Sequence, residues 1–388
     1  MVKTSAFEPI YLDHQATTPV DPRVVRAMSP YWEVEFGNPH SSKHAFGWRA
    51  DDAVQQARQS VAALIGADAD EIVFTSGATE ANNLAILGLL GHAKAARTGV
   101  VVSAIEHKCV LQSARQLSRL GYEVVLAPVR STGHVDIDAL DDLIDGNTAL
   151  VSIMAVNNEI GTIQSVEEIS ALCRKAGTIL HTDAAQAGVA MTIDVDGLGV
   201  DMMSLSAHKL YGPKGIGALY VSHSVRERLR PIIHGGGQEG GLRSGTLPAP
   251  LCVGFGAAAE ISRMEFGADT ERSKLLRSVF LQTLRSEFAD FEINGGVNGH
   301  PGNLNLRFPG IDADILTANL QPRLAISTGA ACASGIPEPS HVLRAIGLTA
   351  EQAGECVRIG FGRFTDEQQA RNGAHFLAEV ALSMMCVG

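Results

Sequence analysis

The chain has 388 residues, 45% of them hydrophobic and 19% charged, and its formal net charge is -11. That length exceeds one ordinary core and predicts two domains, the composition excludes a long disordered chain, and the negative balance argues against nonspecific binding to nucleic acid or a membrane surface. The six cysteines (Cys109, Cys173, Cys252, Cys332, Cys356 and Cys386) form no CxxC pair, which argues against a zinc ribbon, an iron–sulfur ligand set or a disulfide framework; with no apolar signal core either, the expectation is a cytoplasmic protein with free thiols.

In chain order the elements begin with a strand-like Ile10-Tyr11-Leu12. From about residue 70, short apolar runs alternate with helical stretches. Strands are predicted at Glu71–Phe74, Gly99–Ser103, Tyr122–Ala127, Thr148–Met154, Thr178–Thr182, Asp201–Leu205 and Gly217–Val221. Amphipathic stretches lie between them, as at Thr79–Leu90, Lys108–Leu120, Ile137–Ile144 and Val166–Lys175. This alternation implies an α/β fold with a mostly parallel seven-stranded sheet covered on both faces, whose functional residues sit at the carboxyl ends of the strands. After about residue 260 the texture changes. A charged helical run from Ala257 to about Phe288 precedes short strands near Asn303–Phe308 and Arg358–Phe361, with helices near Asp312–Leu320 and at the C-terminus. This reads as a smaller α+β domain, giving a large domain over 16–262 and a small one from 1–15 with 263–388.

Four segments at predicted strand ends carry candidate chemistry. Lys209, in Ser204-Leu205-Ser206-Ala207-His208-Lys209, follows a strand beside two hydroxyls and a histidine. It reads equally as a surface lysine or as a Schiff-base amine with a depressed pKa. Thr75-Ser76-Gly77-Ala78-Thr79-Glu80 joins a strand to a helix, where free backbone N–H groups and the helix dipole favour an anion; an ordinary helix cap has the same look. Asp183 ends a strand and is either an N-cap or an acid that keeps a pyridinium nitrogen protonated. His107 follows another strand and is either structural or placed to stack on a flat cofactor and move protons. His40 and His44 have metal-like spacing without a third ligand, so no metal is expected.

These segments, in this order, resemble the class V aminotransferase family, and cysteine desulfurases of the NifS/IscS group most closely. The resemblance runs through Tyr11-Leu12-Asp13 and Ala16-Thr17-Thr18-Pro19, Phe36-Gly37-Asn38-Pro39-His40-Ser41, Phe74–Glu80, Asn157-Asn158-Glu159-Ile160-Gly161, the Lys209 segment, His234–Glu239, Arg243-Ser244-Gly245-Thr246 and Gly362-Arg363-Phe364-Thr365. It implies the fold type I of pyridoxal-phosphate (PLP) enzymes, a homodimer, and L-cysteine as substrate. By the same resemblance Lys209 would carry PLP through a Schiff base, Asp183 would hold the ring nitrogen and Gln186 the ring oxygen. His107 would stack on the ring. Ala78, Thr79, Ser206 and His208 would bind the phosphate, with Thr246 supplied by the neighbouring subunit. Asn158 and Arg363 would hold the substrate carboxylate. His14-Gln15 and Gly240 depart from the family's usual residues, and Cys109 and Cys356 read as packing thiols, Cys109 near enough to His107 to oxidise.

Cys332 lies in Ser327-Thr328-Gly329-Ala330-Ala331-Cys332-Ala333-Ser334-Gly335, among small residues with no apolar period, which reads as a reactive loop thiol rather than a buried one. The family places its persulfide-forming cysteine here, in a loop of about 327–341. The implied function is desulfuration of L-cysteine to L-alanine, with sulfur passed from Cys332 to an iron–sulfur scaffold or sulfur carrier. The alternative is a PLP-dependent cysteine or cystine C–S lyase or a selenocysteine lyase, which needs no acceptor thiol.

Overall fold

The computed structural model describes residues 8–91, 96–296, 298–328 and 339–385. Its central sheet has seven strands: β1 (Ile72–Thr75), β2 (Gly99–Ser103), β3 (Glu123–Ala127), β4 (Thr148–Ser152), β5 (Ile179–Asp183), β6 (Met202–Ser206) and β7 (Gly217–Val221). Their order is β1-β7-β6-β5-β4-β2-β3, and β7 alone runs against its neighbours. The mostly parallel α/β sheet expected from the sequence is therefore present, with individual strand ends moved by one or two residues.

The strands form where they do because their apolar runs can be buried on both sides. Every residue of β1, β4, β5, β6 and β7 is buried. Alternate side chains point to opposite faces. Thus Phe74 and Val101 join one apolar layer with Val54, Val61 and Phe255, whereas Val73, Val100 and Val102 join the other with Leu84 and Leu117. A third core gathers Ile10 and Leu12 with Leu276, Phe280, Leu306, Leu324, Ile359 and Leu377 around an antiparallel sheet of Glu292–Asn294, Asn303–Arg307 and Cys356–Gly360. The strand Ile10–Tyr11 pairs in parallel with Leu324–Ala325.

One helix, Ala249–Glu287, threads two of these cores: Phe255 and Ala259 lie in the first layer, Leu276 and Leu284 in the third. The sequence suggests a start near Ala257 and a domain boundary after residue 262, yet the helix is continuous across both. Pro250 sits in its first turn, where proline is tolerated. A Cβ on Gly256 would come within 2.6 Å of Ala57 Cα, so this glycine lets the helix lie against Ala45–Ile65 rather than interrupting it. Among the described residues no helix is long and apolar enough to cross a membrane.

The glycine-rich loop at 235–241 is fastened to the sheet by a buried ion pair. The Arg58 guanidinium grips Glu239 at 2.6 and 2.8 Å, and Glu239 also accepts from the Phe74 backbone N–H at 2.6 Å. Glu239 has φ +52°, a left-handed conformation uncommon for a side-chain-bearing residue, so the pair also offsets backbone strain. Glu239→Ala leaves Arg58 buried without its counter-charge and is expected to destabilise the fold by about 3–5 kcal/mol. A urea midpoint equal to that of the parent would refute this anchoring role.

Candidate active site

Because the sheet is apolar on both faces, polar side chains collect where its strands end. A cavity of about 840 Å³ opens there. β1 delivers Gly77, Ala78 and Thr79; β2 delivers Glu106 and His107; Asn158 follows β4; β5 ends in Asp183 with Gln186 beyond it; β6 leads to Ser206, His208 and Lys209. Gln15, Ala16, Ser327 and Arg358 line it from the third core's side, and His341, whose helix packs near Ile105 and Met154, lines it as well.

Lys209 ends a short turn of helix, Ala207–Lys209, directly after β6. Its Nζ donates to the Gln15 carbonyl and to the Ala16 carbonyl at 2.9 Å. Burial, with Arg358 nearby, pushes the amine down to about 8 against the pull of Asp13 and Asp183. Asp183 is buried; its Oδ2 accepts from Asn82 Nδ2 at 2.6 Å and its Oδ1 from the Ala185 N–H at 2.9 Å. Gln186 Nε2 donates to the Gln15 carbonyl at 2.9 Å. His107 caps the helix Lys108–Arg119, and burial holds its imidazole below the usual histidine range. The same cause, with Lys209 and Lys214 beside it, takes His208 down to about 4, so it is a neutral hydrogen-bonding group near pH 7.

One end of the cavity suits an anion. The helix Ala78–Leu90 starts after Gly77 with no side chain capping its first N–H groups. Those donors and the positive end of the helix dipole face the region that Thr79, Ser206 and His208 also line. A Cβ on Gly217 would come within 2.7 Å of Gly77 Cα, so the glycine at the start of β7 is what lets this loop close down. An amine of lowered pKa, a buried carboxylate, a histidine and an uncapped helix start with two hydroxyls form the donor set that a phosphorylated aldehyde with a basic ring nitrogen requires. The residues present therefore fit pyridoxal phosphate.

One sequence-based assignment comes out differently. Arg363 does not line the cavity. Its Nε and Nη2 bind Asp269 at 3.1 and 2.6 Å, its Nη1 binds Asp21 at 3.0 Å, and the guanidinium lies over the Tyr211 ring at 4.4 Å. A guanidinium held by two carboxylates has no edge left for a third, so Arg363 is a structural ion-pair residue. Arg358 is the arginine that lines the cavity, with Nη2 on Asp13 at 2.8 Å, Nη1 on the Asn158 carbonyl at 3.3 Å and no partner for Nε. The sequence does carry a signal for it: a charge inside Cys356-Val357-Arg358-Ile359-Gly360, a strand buried throughout. Thr246 is exposed and lines no part of this chain's own cavity. Cys332 lies outside the described residues.

Sequence reasoning also passes over Glu106. It is fully buried, its Oε1 accepts from the Met154 N–H at 2.6 Å, and its Oε2 has no partner. Burial, reinforced by Asp183, holds this carboxyl well above the usual carboxylate range. Lys209 provides the direct test of these electrostatics. In the cofactor-free protein its rate of reaction with an aldehyde should rise with pH and reach half its maximum near pH 8, since only the neutral amine adds to a carbonyl. A midpoint near that of an ordinary lysine, about 10.4, would show that the amine is not desolvated as described.

Comparison with known proteins agrees with this geometry. The family described as "Aminotransferase class-V" matches residues 10–372. The cysteine desulfurase IscS of Rickettsia rickettsii (strain Iowa) is 48% identical over 362 residues, covering 93% of this chain and 88% of that protein. A solved NifS-like protein superposes with a TM-score of 0.89 at 34% identity, covering 97% of this chain and 100% of that one. The structure described as "SspA in complex with cysteine" gives a TM-score of 0.82 at 39% identity, over 92% of this chain and 99% of that one.

Proposed function

The chain belongs to the class V aminotransferase family, and from that premise we propose that it is a PLP-dependent cysteine desulfurase, converting L-cysteine to L-alanine and carrying the released sulfur as a persulfide on Cys332. The observation that carries the reading is the convergence of Lys209, Asp183 and the partly unpaired Arg358 in one cavity, in a chain 48% identical to a protein named as a cysteine desulfurase. When bound, PLP supplies a sink for negative charge at the substrate's α-carbon.

The residues divide the remaining work. Arg358 grips the substrate carboxylate with its free edge, as a planar guanidinium does best, while Asp13 fixes the orientation of the group. Asp183, steadied by Asn82 and the Ala185 N–H, holds a proton on the ring nitrogen. Lys209, at about 8, has a useful neutral fraction near pH 7 and takes the α-proton at Nζ, later returning it. The Cys332 thiolate attacks the substrate sulfur. An S–S bond forms as the C–S bond breaks, the electron pair returns to carbon, and a proton there completes alanine. Thr79, Ser206, His208 and the start of the 78–90 helix hold the phosphate.

The working unit is a homodimer, and Thr246 serves the neighbouring site; its exposure, away from its own cavity, supports this. The protein acts in the cytoplasm and passes sulfur to an iron–sulfur scaffold or a sulfur carrier. With cysteine and a reductant, alanine and sulfide should form in equal amounts; pyruvate and ammonia instead would make it a C–S lyase. Cys332→Ala should abolish persulfide transfer while Lys209→Ala loses covalent attachment of PLP, and full turnover by the Cys332 variant would remove that residue from the scheme. Arg358→Ala, which deletes charge-assisted bonds worth about 1.5–3 kcal/mol, should raise the KM for cysteine about 10- to 100-fold. Arg363→Ala should instead lower the melting temperature, and the opposite assignment of the two arginines would overturn the carboxylate site.

A further inference from the structure

Cys109, two residues after His107, packs against the second apolar layer as the sequence suggests, yet its Sγ also meets polar groups. Its Sγ lies 3.0 Å from His107 Nδ1 and 3.2 Å from Asn82 Nδ2, and the same Nδ2 is 2.6 Å from Asp183 Oδ2. We propose that Asn82 and Cys109 are a positioning pair that fixes His107 as the neutral tautomer with its proton on Nε2 and ties that tautomer to Asp183.

The direction of each hydrogen bond follows from what each group can do. An ionised carboxylate only accepts, so Asn82 must turn its amide nitrogen, not its oxygen, toward Asp183. The second hydrogen of that nitrogen goes to Cys109 Sγ. Asn82 is wholly buried and its Oδ1 has no partner. An unpaired buried acceptor costs free energy, which places the side chain's purpose in its two donors. At the other end, the Cys109 backbone N–H donates to His107 Nδ1 at 3.2 Å, so Nδ1 presents its lone pair there. The thiol accepts from Asn82, has the Thr79 hydroxyl as a further partner, and its own hydrogen is assigned to the same nitrogen, sharing that lone pair with the backbone N–H. Two donors on Nδ1 leave Nε2 to carry the imidazole proton.

The charges around the pair agree with this. Burial and the nearby Asp183 push the Cys109 thiol up to about 12, so it remains an S–H donor through the neutral range. His107 is lowered by burial first, with Lys209, His341 and Lys108 acting the same way and Asp183 opposing; the carboxyl of its chain neighbour Glu106 is raised by burial. His107 thus offers an N–H donor to the cavity it lines, and a resting proton to deliver rather than a vacant base. The catalytic meaning of this rests on the desulfurase reading, but the tautomer is a property of the chain itself.

The test is long-range proton–nitrogen NMR of the cofactor-free, full-length protein with nitrogen-labelled histidine, the His107 signals being assigned by their loss in His107→Gln. The expected pattern is a single neutral tautomer protonated at Nε2. Cys109→Ser keeps a donor and an acceptor and should preserve it. Cys109→Ala removes the donor to the neutral form, so the tautomers should mix and the His107 pKa rise by about half to one unit. The acid limb of the holoenzyme's pH–rate profile should move up with it. A parent protein protonated at Nδ1, or a folded Cys109→Ala variant with unchanged tautomer and pKa, would overturn the proposal. If Cys109→Ala does not fold, the parent and Cys109→Ser spectra decide alone. Failure of the desulfurase reading would look different: no alanine from cysteine, with the tautomer pattern intact.

Discussion

Desolvation at the carboxyl edge of the sheet is the constraint on which the site depends. A sheet covered on both faces has little room for polar side chains except where its strands stop, so Asp183, Lys209, His107, His208 and Glu106 crowd into one edge. Burial there penalises the charged form of every one of them it shifts, which moves bases and acids in opposite directions. Lys209, His107 and His208 are lowered while Glu106 is raised. The outcome is that His208 is neutral at physiological pH and Lys209 keeps a fraction of neutral amine. The charges that persist are mostly kept in pairs, as with Arg358–Asp13 and Arg243–Glu80. A neutral amine beside a held carboxylate is what carbonyl chemistry and proton transfer at carbon both require.

The N-terminal segment turns this edge into a closed site. Ile10 and Leu12 are anchored in the third core, and the residues after them reach across to the sheet. Asp13 binds Arg358 and accepts from Ser327 Oγ at 2.7 Å; the carbonyls of Gln15 and Ala16 receive Lys209; Thr18 Oγ1 donates to the His208 carbonyl at 2.8 Å. The stretch from Asp13 to Ala16 therefore reaches both Arg358, through Asp13, and Lys209, through the carbonyls of Gln15 and Ala16. His14 packs within this clasp, its Nδ1 3.0 Å from the Gly360 carbonyl, where a Cβ on Gly362 would collide with the ring. The His14-Gln15 pair, unexplained by sequence, thus gains a structural role.

Much of the sheet was legible because β-branched runs such as Val100-Val101-Val102 have one comfortable home, a strand buried on both sides. The helix begins at Ala249, before the expected Ala257, although Gly254 and Gly256 look like breakers; both are contact points, Gly254 against Met28 and Pro213 and Gly256 against Ala57. The strands Glu292–Asn294 and Leu324–Ala325 are too short to have a period. In the site, Lys209, Asp183 and His107 announce themselves by standing at strand ends. The roles of Asn82 and Cys109 do not, because they depend on contacts with residues up to 101 positions away. Cys109 does pack against the second apolar layer, as its helical neighbours suggest, but its polar contacts cannot be read from sequence until its hydrogen-bond partners are known.

The exchange of Arg363 for Arg358 shows what a buried arginine needs before it can be given a function. Each guanidinium has five N–H donors, and the question is where they go. Arg58 places its donors on Glu239, the Ile72 carbonyl and Gln55, far from the cavity lining. Arg363 divides its donors between Asp269 and Asp21. Both are electrically complete without a ligand. Arg358 has one carboxylate and one carbonyl, and its Nε has neither. A buried donor left unpaired is costly, and of these three arginines only Arg358, which lines the cavity, carries one. A motif such as Gly362-Arg363-Phe364-Thr365 records that an arginine is present; only the count of its remaining donors says whether it is free to bind.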